Sequence, residues 1–324
     1  MTDMTTCPQV SIVFPVYNEE LVLPVLETRL QEVISNLDCC CEVVFVNDGS
    51  RDSSLQMLRA IARRHTWAKV VSLSRNFGHQ TAVTAGLKNS SGAAVIVMDS
   101  DLQDPPELIP RMLELWQADN QVVYCVRRRR KEGLFKRTCY AGFYRIMRLM
   151  VDIDIPLDSG DFCLMDRRVV ELVCNMPERN QFIRGLRTWV GFRQIALEYE
   201  RDARHAGEPK YTFKRLVKLA LDGILSFSYI PLRIAGKLGM GIAFVSILYA
   251  IKLFTWRLLY NNHVPGFATL SIAIMLLGSV QLFTLSILGE YVGRIYDEVK
   301  QRPLYIVGER IGFETTTNEN ALSR

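Results

Sequence analysis

The chain has 324 residues, 49% hydrophobic and 23% charged, enough for one large or two small folded domains. Its net charge of +5 is modest and gathers around two apolar stretches near the C-terminus, which suits an anionic membrane surface and argues against nucleic acid. Eight cysteines include the run Cys39-Cys40-Cys41 but no Cys-x-x-Cys pair, and His65, His79, His205 and His263 lack metal-like spacing, so a disulfide framework and a zinc site are disfavoured.

No basic region followed by an apolar core opens the chain, so no cleaved signal peptide is expected and the first 230 residues are expected to stay on the side of synthesis. Val10–Val16, Glu42–Asn47, Lys69–Leu73 and Ala93–Met98 are short β-rich runs, with helix-like segments at Glu20–Leu37 and Ser53–His65 between the first of them. Alternation of this kind predicts a parallel α/β sheet whose loops gather on one edge.

Each run ends in a polar turn. Pro15-Val16-Tyr17-Asn18-Glu19 ends the first, Asn47-Asp48-Gly49-Ser50 the second and Ser74-Arg75-Asn76-Phe77-Gly78 the third. The fourth ends in Asp99-Ser100-Asp101-Leu102-Gln103-Asp104, closed by Pro105 and Pro106. Asp99 and Asp101 therefore fall at the carboxyl end of a buried strand, where open α/β sheets bind ligands, and their hard oxygens suit a divalent cation held against a phosphate. A single Asp-x-Asp could equally cap a turn.

Val122–Val126 predicts another strand, followed by the basic run Arg127 to Lys131; Asp161–Tyr199 mixes helix and strand signals in no fixed order. Leu134–Met150 and Thr212–Ser228 read as amphipathic helices with basic polar faces, fitted either to a membrane interface or to a solvated protein surface. Phe267–Leu288 carries no charge and as a helix would extend about 33 Å, enough for a bilayer core. A second span is expected within Ile230–Tyr260, where Lys237, Lys252 and Arg257 must snorkel or face a partner. The intervening Asn261–Gly266 loop lacks Lys and Arg, whereas Lys210, Lys214, Arg215 and Lys218 precede the pair and Arg294, Lys300 and Arg302 follow it. Both long ends are therefore expected on the cytoplasmic side of a multi-pass inner-membrane protein.

Taken together and in this order, the four loop ends and the terminal hairpin resemble the inverting family 2 glycosyltransferases of GT-A fold, and within them the polyprenyl-phosphate sugar transferases. Gly160-Asp161-Phe162, Pro177-Glu178-Arg179 and the stretch Gly289 to Tyr296 with Arg302-Pro303 extend the resemblance over nearly the whole chain. It implies a GT-A (Rossmann-like) α/β catalytic domain at 1–210, an amphipathic interface helix at 211–230, two transmembrane helices at 231–292 and a cytoplasmic tail at 293–324.

The resemblance also implies roles. Pro15, Tyr17, Glu19 and Asp48 would hold the base and ribose of a nucleotide sugar, with Asp99 near the ribose or diphosphate. Asp101 and Gln103, with Asp99, match the metal-binding positions for Mg²⁺ or Mn²⁺. Arg204 and Lys210, in Arg204-His205-Ala206-Gly207-Glu208-Pro209-Lys210, would lie near the diphosphate, Pro209 replacing the family's hydroxyl residue. Arg127 and Arg137 would hold the phosphate of the lipid acceptor. Asp161 stands where relatives place a base, yet a phosphate monoester is already ionised near neutral pH, so orienting the acceptor or sugar is preferred; a helix cap is the competing role. His79 reads as a packed or solvated histidine.

The expected reaction is inverting transfer of a hexose, glucose from UDP-glucose in the first instance, to undecaprenyl phosphate for cell-envelope glycan modification. Mannose, N-acetylglucosamine and aminoarabinose donors remain alternatives. A processive polysaccharide synthase is disfavoured because Gln181-Phe182-Ile183-Arg184-Gly185 lacks the Trp of Gln-x-x-Arg-Trp. A non-catalytic membrane scaffold is the rival from another class, and paired spans leave room for self-association.

Overall fold

The computed structural model describes residues 9–127, 159–179, 182–199, 230–260 and 266–313. The two basic amphipathic segments expected at Leu134–Met150 and Thr212–Ser228, the loop 261–265, and Arg137, Arg204 and Lys210 lie outside these residues.

Strands β1 (Val10–Val16), β2 (Cys41–Asn47), β3 (Ala68–Leu73) and β4 (Ala94–Val97) follow the predicted runs closely. They are continuous apolar runs because both faces are covered, and nearly every residue in them is buried. Helices α1 (Leu23–Ser35), α2 (Ser54–Arg64) and α3 (His79–Lys88) supply the crossovers. Leu23, Leu26, Leu30 and Val33 of α1 form one buried stripe at helical spacing, and Leu58 and Ile61 do the same in α2. Phe14 stacks on Phe45 at 5.7 Å within this core.

The rest of the sheet departs from the parallel arrangement the sequence suggests. After α4 (Ile109–Gln117), β5 (Val122–Arg127), β6 (Ser159–Asp166), α5 (Arg167–Asn175), α6 (Ile183–Trp189) and β7 (Gln194–Tyr199) follow, and the eight strands run in the order β7-β5-β6-β4-β1-β2-β3-β8. β6 is antiparallel to both β4 and β5, and β8 (Val307–Ile311) is antiparallel to β3, so the sheet is mixed. Asp161 lies inside β6 and does not cap a helix; Asp166 caps α5, accepting the N–H of Arg168 at 3.0 Å.

A second compact unit carries α7 (Ile230–Tyr260) and α8 (Phe267–Val299), which touch each other. Both helices are long and apolar enough to cross a membrane. Phe254 and Leu282 are each 69% exposed on them, apolar surface that water would not leave uncovered. Within the described part of the expected tail at 293–324, α8 runs on to Val299 and β8 pairs with β3 in the sheet. Arg59 of α2 reaches Glu309 of β8 at 2.6 Å, joining residues 250 positions apart.

Candidate active site

The four strand ends are joined by short polar contacts that explain their composition. Asn18, at φ 55°, accepts the N–H of Arg51 on its side-chain oxygen at 2.9 Å, and the N–H of Glu19 donates to Ser54 Oγ at 2.9 Å. These bonds fasten the turn after β1, with Tyr17 half-buried in it, to the start of α2. Asn47 is buried between the second and third loops, donating to Ser72 Oγ at 2.9 Å and accepting the N–H of Ser50.

Asp48 fixes the third turn. Its carboxylate accepts the N–H groups of Phe77 at 2.7 Å and Gly78 at 3.0 Å. Burial pushes its pKa up, and the two N–H donors offset this only in part. Gly49 is needed beside it: at φ 65°, a Cβ there would lie 2.5 Å from the backbone of Arg75 and Asn76.

The Asp-Ser-Asp loop is anchored by its middle residue, whose hydroxyl donates to the carbonyl of Pro15 at 3.0 Å. The N–H of Gln103 donates to Asp101 Oδ1 at 3.2 Å, closing a tight Asx turn around the buried Leu102. Leu102 has φ 58°, a left-handed conformation that costs a branched aliphatic residue about 1 kcal/mol or more. Asp104 is buried and accepts the hydroxyl of Tyr199, which fixes the loop to β7.

Asp161 of β6 faces this loop. Arg184 grips it with both arms of the guanidinium, Nε to Oδ1 at 2.7 Å and Nη2 to Oδ2 at 2.9 Å. Gln80 Nε2 adds a longer contact to Oδ2 at 3.4 Å. His79 Nε2 lies 3.3 Å from Asp161 Oδ2 and 3.5 Å from Asp99 Oδ1. Burial raises the pKa of Asp161, but the Arg184 charge and the Arg184 and His79 hydrogen bonds overcome it and hold the carboxyl well below the usual range. Asp99 moves the other way, pushed up to about 6 by burial and by the carboxylates of Asp161, Asp104 and Asp101 against the pull of His79.

Of the residues singled out in sequence, the structure thus brings Asp99 and Asp161 to one cluster, Asp48 against the third loop, and Pro15 against Ser100. Arg127 ends β5. His79, Gln80 and Arg184 belong to the cluster and were not expected there. Arg184 had a signal, since it is the Arg of the Gln-x-x-Arg stretch used to disfavour a processive synthase.

A model of the family described as glycosyl transferase family 2 matches residues 11–173, about half of the chain and all of the loop ends above. The chain belongs to that family. Among relatives of this family 2 glycosyltransferase, the "Uncharacterized glycosyltransferase YkcC" of Bacillus subtilis (strain 168) is 47% identical over 94% of this chain and 95% of its own. The "SfII prophage-derived bactoprenol glucosyl transferase" of Shigella flexneri is 41% identical over 92% of this chain and 97% of its own. The "Prophage bactoprenol glucosyl transferase homolog" of Escherichia coli (strain K12) is 39% identical over 92% and 98%. Mixed sheet and family together make the architecture GT-A.

Proposed function

We propose that this glycosyltransferase moves glucose from UDP-glucose to undecaprenyl phosphate with inversion at the anomeric carbon, at the cytoplasmic face of a membrane. The observation that carries the reading is the grip of Arg184 on both oxygens of Asp161. A carboxylate so held is a poor general base, so the site suits an acceptor that arrives already ionised, as a phosphate monoester does near neutral pH. The likeness to bactoprenol glucosyl transferases over almost the full length supports the same acceptor and donor.

In this reading Pro15, Tyr17, Glu19 and Asp48 hold the nucleoside, Arg204 and Lys210 approach its diphosphate, and Arg127 and Arg137 bind the lipid phosphate through forked guanidinium contacts. Asp99, Asp101 and Gln103 would hold Mg²⁺ or Mn²⁺. The crowding of carboxylates that raises Asp99 fits a place where a cation binds. Among the described residues no group of three His, Cys, Asp or Glu side chains is placed to hold a metal ion, so the diphosphate would have to supply the remaining ligands. When bound, such an ion neutralises charge developing on the departing nucleoside diphosphate. Asp161, immobilised by Arg184, orients the acceptor or the sugar, and transfer relies on positioning more than on proton removal.

The membrane reading rests on α7 and α8 and on chain topology. β7 and β8 belong to one sheet, so any membrane crossings between them are even in number, as for a two-helix hairpin with both ends on one side. Incubating membranes bearing the protein with labelled UDP-glucose and undecaprenyl phosphate is expected to yield a β-linked lipid-phosphate glucose. No lipid-linked product from any common nucleotide sugar would overturn the proposal.

A further inference from the structure

Asp99, beyond β4, and Asp161, in β6, meet at one ring nitrogen, since His79 Nε2 is 3.5 Å from the first and 3.3 Å from the second. His79 thus contacts both carboxylates. The backbone sets the ring there. Asp48 accepts the N–H groups of Phe77 and Gly78, the two residues before His79, and Gly78 has φ 100°, a conformation that other residues rarely adopt. Gln80 continues the hold, with Nε2 on Asp161 and Oε1 accepting the N–H of Ile183 at 3.2 Å. The first two residues of α3 therefore tie the Asp48 turn, the Asp-Ser-Asp loop, β6 and α6 to one another.

We propose that His79 is a positioning residue for sugar transfer: its ring nitrogen keeps Asp161 in register with Asp99, fixing the acceptor-side carboxylate relative to the donor-side one. This rests on the function proposed above. With Nε2 gone, the Asp161 side chain keeps Arg184 and Gln80 but loses the contact it shares with Asp99, so the two carboxylates are held together by the β4–β6 backbone pairing alone. The geometry of transfer then loosens while the nucleotide site stays whole, and loss of sub-ångström alignment is costly to the rate of a reaction driven by positioning.

The full-length protein in detergent, supplied with UDP-glucose, Mn²⁺ and undecaprenyl phosphate, tests this with His79→Leu, which removes the donor, and His79→Gln, which places an amide N–H at similar reach. His79→Leu is expected to lower kcat by about fivefold or more while leaving the KM for UDP-glucose and the calorimetric Kd for UDP within about threefold, and His79→Gln to recover most of the loss. A smaller fall in kcat, a Gln variant no better than Leu, or a loss of UDP affinity parallel to turnover would each overturn the proposal. A double-mutant cycle on Tm, His79→Leu with Asp161→Asn, reads the contact without turnover: non-additive shifts are expected, and additive ones overturn it. Wild-type protein inactive with every nucleotide sugar would instead sink the proposed function, and the cycle would still decide on His79.

Discussion

Arg184 closes both oxygens of Asp161, with Nε on Oδ1 and Nη2 on Oδ2, and so joins α6 to the middle of the catalytic sheet. Removing Arg184 leaves Asp161, largely buried, with only the longer His79 and Gln80 contacts among those described. Arg184→Ala is expected to destabilise the fold by about 2–4 kcal/mol, and Arg184→Lys to restore little of it because an ammonium cannot make the forked contact. Denaturant unfolding of the two variants checks this; full recovery by Lys would mean that charge alone matters.

Asp101 sits in the turn that Gln103 closes, partly buried at a loop end, where its loss should hardly affect folding. Asp101→Ala is expected to lower turnover by about 10²-fold or more, the scale for removing one preorganised electrostatic group, with Tm nearly unchanged. If Asp99 holds the proposed ion, proton and cation would compete for it, since its pKa is pushed up to about 6. Affinity for Mn²⁺ with UDP should therefore fall as pH drops below about 6 and level off above it. Titration calorimetry at several pH values measures this directly.

Gly49 occupies a position that no side chain fits. Gly49→Ala adds a Cβ 2.5 Å from the backbone of Arg75 and Asn76 at a positive φ, so the second and third loops must separate. The expected cost is about 1–3 kcal/mol together with weaker UDP binding, since Asp48 loses its grip on the third turn.

Glu42 is a buried carboxylate in β2 that accepts from Ser11 Oγ and Lys69 Nζ, each at 2.5 Å, and from the N–H and hydroxyl of Ser91. Burial raises its pKa, but these partners outweigh burial and the net shift is downward from 4.5. A lowered folded-state pKa means stability present above the unfolded value near 4.5 and lost as pH falls toward and through the folded one. Glu42→Gln should be less stable at pH 7 by about 2–4 kcal/mol and should lose the acid-side slope of Tm against pH that the wild type shows.

Arg187, one turn beyond Arg184, is fully buried, and its guanidinium nitrogens find no oxygen partner among the described residues. Among the described residues, the Tyr124 ring, at 5.7 Å, and the thiols of Cys163 and Cys125 lie near it. Arg187→Met, of similar length without the charge, is expected to raise Tm, because a buried cation without an ionic partner among the described residues is costlier than a packed thioether. A clear drop in Tm would reveal an ionic partner.

The first half of the sheet was legible because β1 to β4 are apolar runs cut off by turn residues, a pattern that needs no knowledge of distant partners. β6 and β8 were not, since their antiparallel pairing depends on strands far away in the chain and β8, Val307–Ile311, is a five-residue edge strand with Glu309 and Arg310 side by side. At the site, Asp99 and Asp48 declared themselves by position at strand ends. His79 did not: a histidine after a glycine turn carries no local mark of the two carboxylates that surround it. Asp161 was visible, but whether it capped a helix or sat within a strand could be decided only by where β6 pairs.

The return of β8 to the sheet has a consequence for biogenesis. On the ribosome, β3 emerges long before α7 and α8, and its outer edge stays unpaired until the strand that follows them appears. An open strand edge is a template for self-association. The catalytic sheet is therefore completed only after the apolar helices have been made, and a chain stalled before β8 should present a sticky edge for quality control to recognise.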